Sequence, residues 1–139
     1  MQQKVLREGV KNVKFLPFQP EDKFIKILAS ADCCFVTLGR GLENLALPSR
    51  AFTFLSAGKP IISIMDKKAD LAQLLEKNRC GWVAETMEQL RSLMRNLVKK
   101  REEITEFGKN ARHFYAQNYK KEKIIKRYID IVDECLTPQ

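Results

Sequence analysis

The chain has 139 residues, 45% hydrophobic and 30% charged, with a formal net charge of +8. That length builds one domain at most, and the composition is that of a water-soluble globular protein. No apolar run approaches the ~18 residues of a membrane span, and the opening MQQKVLREGVKNVKF has no apolar stretch like that of a secretory signal.

In chain order, VKFLPF (Val13 to Phe18) predicts a short strand interrupted by Pro17. PEDKFIKILASA then predicts a helix, with Pro20 near its first turn, acids just behind, and Phe24, Ile27, Leu28 and Ala31 at helical spacing. DCCFVTLG is continuous and apolar, as expected of a strand covered on both faces. A polar loop, GRGLEN, leads into the helix LPSRAFTFLSA, which Gly58 stops and Pro60 keeps from resuming, so that PIISIM becomes the next strand. Ala69 to Lys77 carries Leu71, Leu74 and Leu75 on one helical face, and CGWVAE predicts a last strand. From Thr86 onward the pattern is helical throughout. Met87, Leu90, Met94 and Leu97 mark one helix, Ile104, Phe107, Ala111 and Phe114 a second, and Ile125, Tyr128, Ile129, Val132 and Leu136 a third.

Strands alternating with helices predict an α/β domain with a parallel sheet, followed by an all-helical tail. Ligands of such sheets settle beyond the carboxyl ends of the strands. Pro17 to Gln19, Gly39 to Ser49 and Asp66 to Lys68 are therefore expected on the functional edge.

Between Arg95 and Arg127 there are eleven Lys and Arg against four Glu. The ordinary reading is a solvated face on the C-terminal helices; an anionic membrane surface or an acidic partner is the alternative. No recognition motif accompanies the charge, which argues against specific nucleic-acid binding. Of four cysteines, Cys33, Cys34, Cys80 and Cys135, none forms a CxxC pair, and Cys33 and Cys34 read as small core residues, as expected in a cytosolic compartment. His113 has no second ligand type at metal spacing and reads as a surface or core-edge residue. Asp66 reads as a turn acid, Lys59 as part of the helix-to-strand turn at the opposite edge, and Trp82 as core.

The chemistry concentrates at the start of the LPSRAFTFLSA helix. Backbone N–H groups at Ser49, Arg50 and Ala51 are expected to lack partners there, and with the helix dipole they would suit a phosphate. Arg50 adds a cation and Ser49 a hydroxyl. The plainer alternative leaves Pro48 as a first-turn residue, Ser49 near the cap and Arg50 on the surface.

NVKFLPFQPEDKFIKILASADCCFVTL, then LPSRAFTFLSAGKPIISI, then LLEKNRCGWVAE together resemble the C-terminal donor-binding domain of nucleotide-sugar glycosyltransferases. These are two-Rossmann-domain (GT-B) enzymes of the group 1 type. The likeness is to bacterial enzymes that build cell-surface polysaccharides, which carry an NV-F-x-G/P strand, an AD-strand, a VPSK-type helix start, an AAGKPVI turn and a CG-V strand in this order. It covers about Asn12 to Glu85, with the helical tail compatible.

The resemblance implies that Leu16 to Gln19 would sit beside the nucleotide base, with Phe18 packing nearby and Gln19 within the base-reading segment. Ser49 and Arg50 would meet the diphosphate. Thr53 falls where many members place the second glutamate of an acidic pair that holds the ribose, and the first position of that pair is Leu45. This departure replaces a carboxylate by a hydroxyl at one position and by an apolar side chain at the other, with Glu43 as the acid that would compensate. A nucleotide-sugar donor, retention of anomeric configuration, no metal or other cofactor, and a place in the cytoplasm or at the inner face of the membrane all follow from the resemblance. No catalytic base is assignable.

The family's domain opens with two strand units that have no counterpart here. Residues 1–139 therefore read as a partial donor-binding domain, an α/β core over 1–85 and C-terminal helices over 86–139. In the strand order 3-2-1-4-5-6 the strands missing would lie between the first two predicted here, leaving unpaired edges. Three arrangements would resolve this: a longer chain with an N-terminal segment, a partner chain that supplies the strands, or four strands closing into a smaller sheet. A closed-up or swapped homodimer would also hide the edges. Met1 suits a separately initiated chain. The expected function is donor binding within a glycosyltransferase, with a non-catalytic nucleotide-binding or interaction module, or a basic membrane- or nucleic-acid-associated protein, as the alternatives.

Overall fold

The computed structural model describes residues 2–39 and 47–136, which fall into two compact units, residues 1–30 and residues 31–139.

The first unit holds α1 (Gln2–Arg7) and α2 (Glu21–Ser30). Glu21 and Asp22 lie in the first turn of α2, where they favour the positive end of the helix, and the Phe24 amide donates to the Pro20 carbonyl at 2.9 Å. Of its expected apolar stripe, Leu28 is buried, while Phe24 and Ile27 stay exposed. The strand predicted over Val13 to Phe18 does not form. A strand exists through its ladder, this segment has no strand neighbour among the described residues, and Pro17 removes one donor.

The second unit runs β1 (Cys34–Thr37), α3 (Ser49–Ser56), β2 (Ile61–Ile64), α4 (Asp70–Lys77), β3 (Gly81–Ala84), α5 (Met87–Leu97), α6 (Arg101–Asn118) and α7 (Lys121–Leu136). The sheet is parallel in the order β1-β2-β3, with Cys34 opposite Ile61 and Ile61 opposite Gly81. This is the expected α/β class, a Rossmann-like parallel sheet with flanking helices and a helical tail. Among the described residues the sheet has three strands, so the four-strand sheet given as one alternative does not form there.

Val36, Ile61 and Met65 pack with Ala51 and Leu55 of α3, Leu71, Ala72 and Leu75 of α4, Cys80, and Ala111 of α6 into one core. Helix α3 closes with Gly58 at a φ of +68, the Gly58 amide on the Leu55 carbonyl and the Lys59 amide on the Phe54 carbonyl, both at 3.0 Å. This αL closure turns the chain straight into β2. Helix α6 runs antiparallel along α3: Gly108 meets Gly58, Arg112 Nη1 donates to the Ser56 carbonyl, and the Tyr119 ring packs against Phe52, tilted by 50° with centroids 4.6 Å apart. Trp82 is half-buried and lies parallel to Phe107 at 4.5 Å, its Nε1 donating to Glu103 at 3.1 Å. No residue of α7 is buried, so its expected apolar face from Ile125 to Leu136 lies open among the described residues.

Candidate anion site at the carboxyl edge

Register places Thr37, Ile64 and Ala84 side by side at the carboxyl ends of the strands. Each parallel crossover returns a helix to that edge, so α3, α4 and α5 all begin there.

The three helix starts differ in how they are closed. At α5, Thr86 Oγ1 accepts the Gln89 amide at 3.2 Å while Gln89 Oε1 accepts the Glu85 amide at 2.8 Å, a reciprocal cap. At α4 the N-cap Ala69 offers no side-chain cap; Asp66 Oδ1 accepts the Lys68 amide at 2.7 Å in the loop before it, and Asp70 puts an acid in the first turn. Asp66 is thus the turn acid its sequence position suggested. Glu85 Oε1 also accepts the Lys67 amide at 3.4 Å, tying the two loops together. Nothing in the local pattern around Glu85 predicts that contact, because its partner is 18 residues away.

At α3, Pro48 precedes the helix in an extended conformation, no side-chain cap is made among the described residues, and the first turn contains no acid. The first described bond of the turn runs from the Ala51 amide to the Pro48 carbonyl at 3.0 Å. Ala51 therefore does not supply the third free amide expected from its position, because the first turn closes three residues back. The amides of Ser49 and Arg50 precede that bond. Ser49, Arg50 and Thr53 are all exposed, with Ser49 and Thr53 four residues apart on one face. The opposite face is anchored by Ala51 and Leu55, both fully buried, and by Phe52 on Tyr119.

Of the remaining expected site residues, Phe18 and Gln19 belong to the first unit. Phe18 is 98% exposed, and Gln19 Nε2 folds back onto the Pro17 carbonyl at 2.8 Å. Glu43 and Leu45 lie outside the described residues. Among the described residues no three His, Cys, Asp or Glu side chains gather to hold a metal ion, and no helix is long and apolar enough to cross a membrane.

Neither of two cavities in the second unit is lined by Ser49, Arg50 or Thr53. A cavity of about 640 Å³ opens at the amino edge, between the Gly58–Pro60 turn and α6. A smaller one, about 300 Å³, lies between Cys33, Ile62 and the α5–α6 corner. All four cysteines are free. Burial, with help from Asp32, pushes the Cys33 thiol up to about 11; burial raises Cys34 against a lowering pull from Lys59, and raises Cys80 to about 12. Cys34 and Cys80 are buried as core residues, whereas Cys33, expected beside Cys34 in the core, is only half-buried.

No family model and no solved structure matches the chain. Two curated proteins do. "Probable glycosyltransferase WbjE" of Pseudomonas aeruginosa is 36% identical over 55 residues, 40% of this chain and 14% of that protein. "Putative colanic acid biosynthesis glycosyl transferase WcaI" of Escherichia coli strain K12 is 23% identical over 124 residues, 89% of this chain and 30% of that protein. The chain thus spans less than a third of the length of either relative. By these matches, and by the order of its motifs, the chain is related to the group 1 glycosyltransferases.

Proposed function

We propose that the chain forms the donor-nucleotide part of a glycosyltransferase acting in surface-polysaccharide synthesis, with the start of α3 receiving the diphosphate of a nucleotide sugar. The reaction class comes from the relatives' names. The observation that carries the site is the acid-free first turn of α3: α4 and α5 bring Asp70 and Glu88 to their own first turns, whereas α3 brings Ser49 and Arg50.

In the proposed reaction the bond between the sugar's anomeric carbon and the diphosphate oxygen breaks. Negative charge then grows on the departing phosphate. The Ser49 and Arg50 amides and the Arg50 guanidinium would stabilise that charge, and the Arg50 fork suits a phosphate geometrically. Thr53, one turn further along the same face, would offer its hydroxyl to the ribose. The acceptor and the remaining donor contacts would come from protein beyond these residues, so this chain alone would bind the donor without transferring the sugar.

Calorimetric titration with uridine and guanosine diphosphates and their sugars tests the reading. Saturable heat is expected for at least one of them, and its loss in Arg50→Ala would locate it. Absence of heat with all of them removes the proposal.

A further inference from the structure

The cavity at the amino edge is lined by charge that the donor reading does not use. Lys59, in the turn before β2, faces the same space as Lys109 and Arg112, from successive turns of α6. Asp32, just before β1, is the one acid on its lining. Lys109 makes no ion pair or hydrogen bond among the described residues, and Arg112 spends one donor on the Ser56 carbonyl.

The backbone that carries these cations is held in place. Helix α6 presses on the turn so tightly that a Cβ on Gly108 would stand 2.7 Å from the Gly58 carbonyl oxygen. The contact locks the helix carrying Lys109 and Arg112 against the turn carrying Lys59. The Ser56 bond holds the Arg112 guanidinium while leaving further N–H groups of the fork to donate. Three cations against one acid, across a recess of about 640 Å³, concentrate positive potential where a phosphate-sized group fits.

We infer that this groove is a second anion site, taking a phosphate-bearing ligand at the edge opposite the proposed donor site. Phosphate of this kind comes either from a soluble phosphorylated molecule or from the headgroup of an anionic phospholipid. The inference does not depend on the donor reading, because no residue is shared between the two sites.

The test uses the 139-residue chain, the double variant Lys59→Gln/Lys109→Gln, and Lys109→Gln alone, an exposed change that keeps the test if the double variant does not fold. In the soluble arm, pyrophosphate is titrated while amide resonances are followed. Shifts are expected at Lys59 and from Lys109 to His113, with binding about tenfold weaker in the double variant and unchanged there in Arg50→Ala. In the membrane arm, the chain is sedimented with vesicles of phosphatidylglycerol and phosphatidylcholine and with phosphatidylcholine alone. Salt-sensitive binding to the anionic vesicles, lost in the lysine variants, supports the site and names the headgroup as its ligand; pyrophosphate binding alone supports it and names a soluble one. The inference is overturned if neither probe perturbs these amides, or if both bind the lysine variants as they bind the parent.

Discussion

Gly108 and Gly58 touch backbone to backbone: a Cβ at position 108 would come within 2.7 Å of the Gly58 carbonyl oxygen and 3.5 Å of Pro60 Cδ. Neither neighbour can rotate away, as a flexible side-chain tip would. Gly108→Ala must therefore push α6 off the turn, at an expected cost of about 1–3 kcal/mol in urea unfolding. A midpoint equal to the parent's would mean that α6 does not bear on this turn.

Trp82 is the one tryptophan and lies flat on the buried ring of Phe107. Phe107→Ala leaves a ring-sized void beside it and should destabilise by about 2–4 kcal/mol. The same variant should shift the emission of Trp82, since the stack is lost; unchanged emission would contradict the stacking.

The thiols give a pH signature. At pH 8 a disulfide reagent should modify the exposed Cys135 first, while Cys33, Cys34 and Cys80 react slowly because burial keeps them neutral. Their folded values lie above the ordinary 9.0, so the stability linked to neutral thiols is fully present below pH 9. It is lost as pH rises through about 11 for Cys33 and about 12 for Cys80. In a Cys80→Ala variant the loss of stability from neutral to alkaline pH, each protein measured against its own neutral-pH value, should be smaller than in the parent; an identical pH dependence would reject the assignment.

Arg50 is exposed, so Arg50→Ala should leave the thermal midpoint near the parent's. Diphosphate binding, in contrast, should weaken by ~1–3 kcal/mol if the guanidinium touches the anion. Equal affinity with full saturation would move the anion elsewhere.

Thr86→Ala removes the side-chain cap of α5 and should cost about 1 kcal/mol. Thr86→Ser, which keeps the hydroxyl, should recover most of it. Equal losses in both variants would show that the hydroxyl does not carry the cap.

Much of the fold was legible because most of its signals are local. Gly58 and Pro60 mark the end of α3 by their backbone preferences alone, and the run CCFVTL announces a strand, though not with the cover expected on both faces: β1 buries Cys34 and Val36 and leaves Phe35 and Thr37 exposed. VKFLPF carries a similar strand signal, yet forms none, since pairing depends on a neighbour that no local pattern contains. For the same reason the helical period found α7 but not the fact that its apolar side has nothing against it among the described residues.

The candidate site divides in the same way. Ser49 and Arg50 at a helix start were evident from Pro48 and the residues after it. That Ala51 closes the first turn, that Glu85 ties two loops through the Lys67 amide, and that Lys59 shares a recess with Lys109 and Arg112 depended on approach in space.

The sequence by itself determined the α/β alternation, the turns and the position of a helix start with no acid in its first turn, because propensity, capping and periodicity act within a few residues. Only the tertiary structure decided which strands pair, which faces are covered and where cations converge. Ladders, burial and electrostatic potential depend on distances between segments remote along the chain.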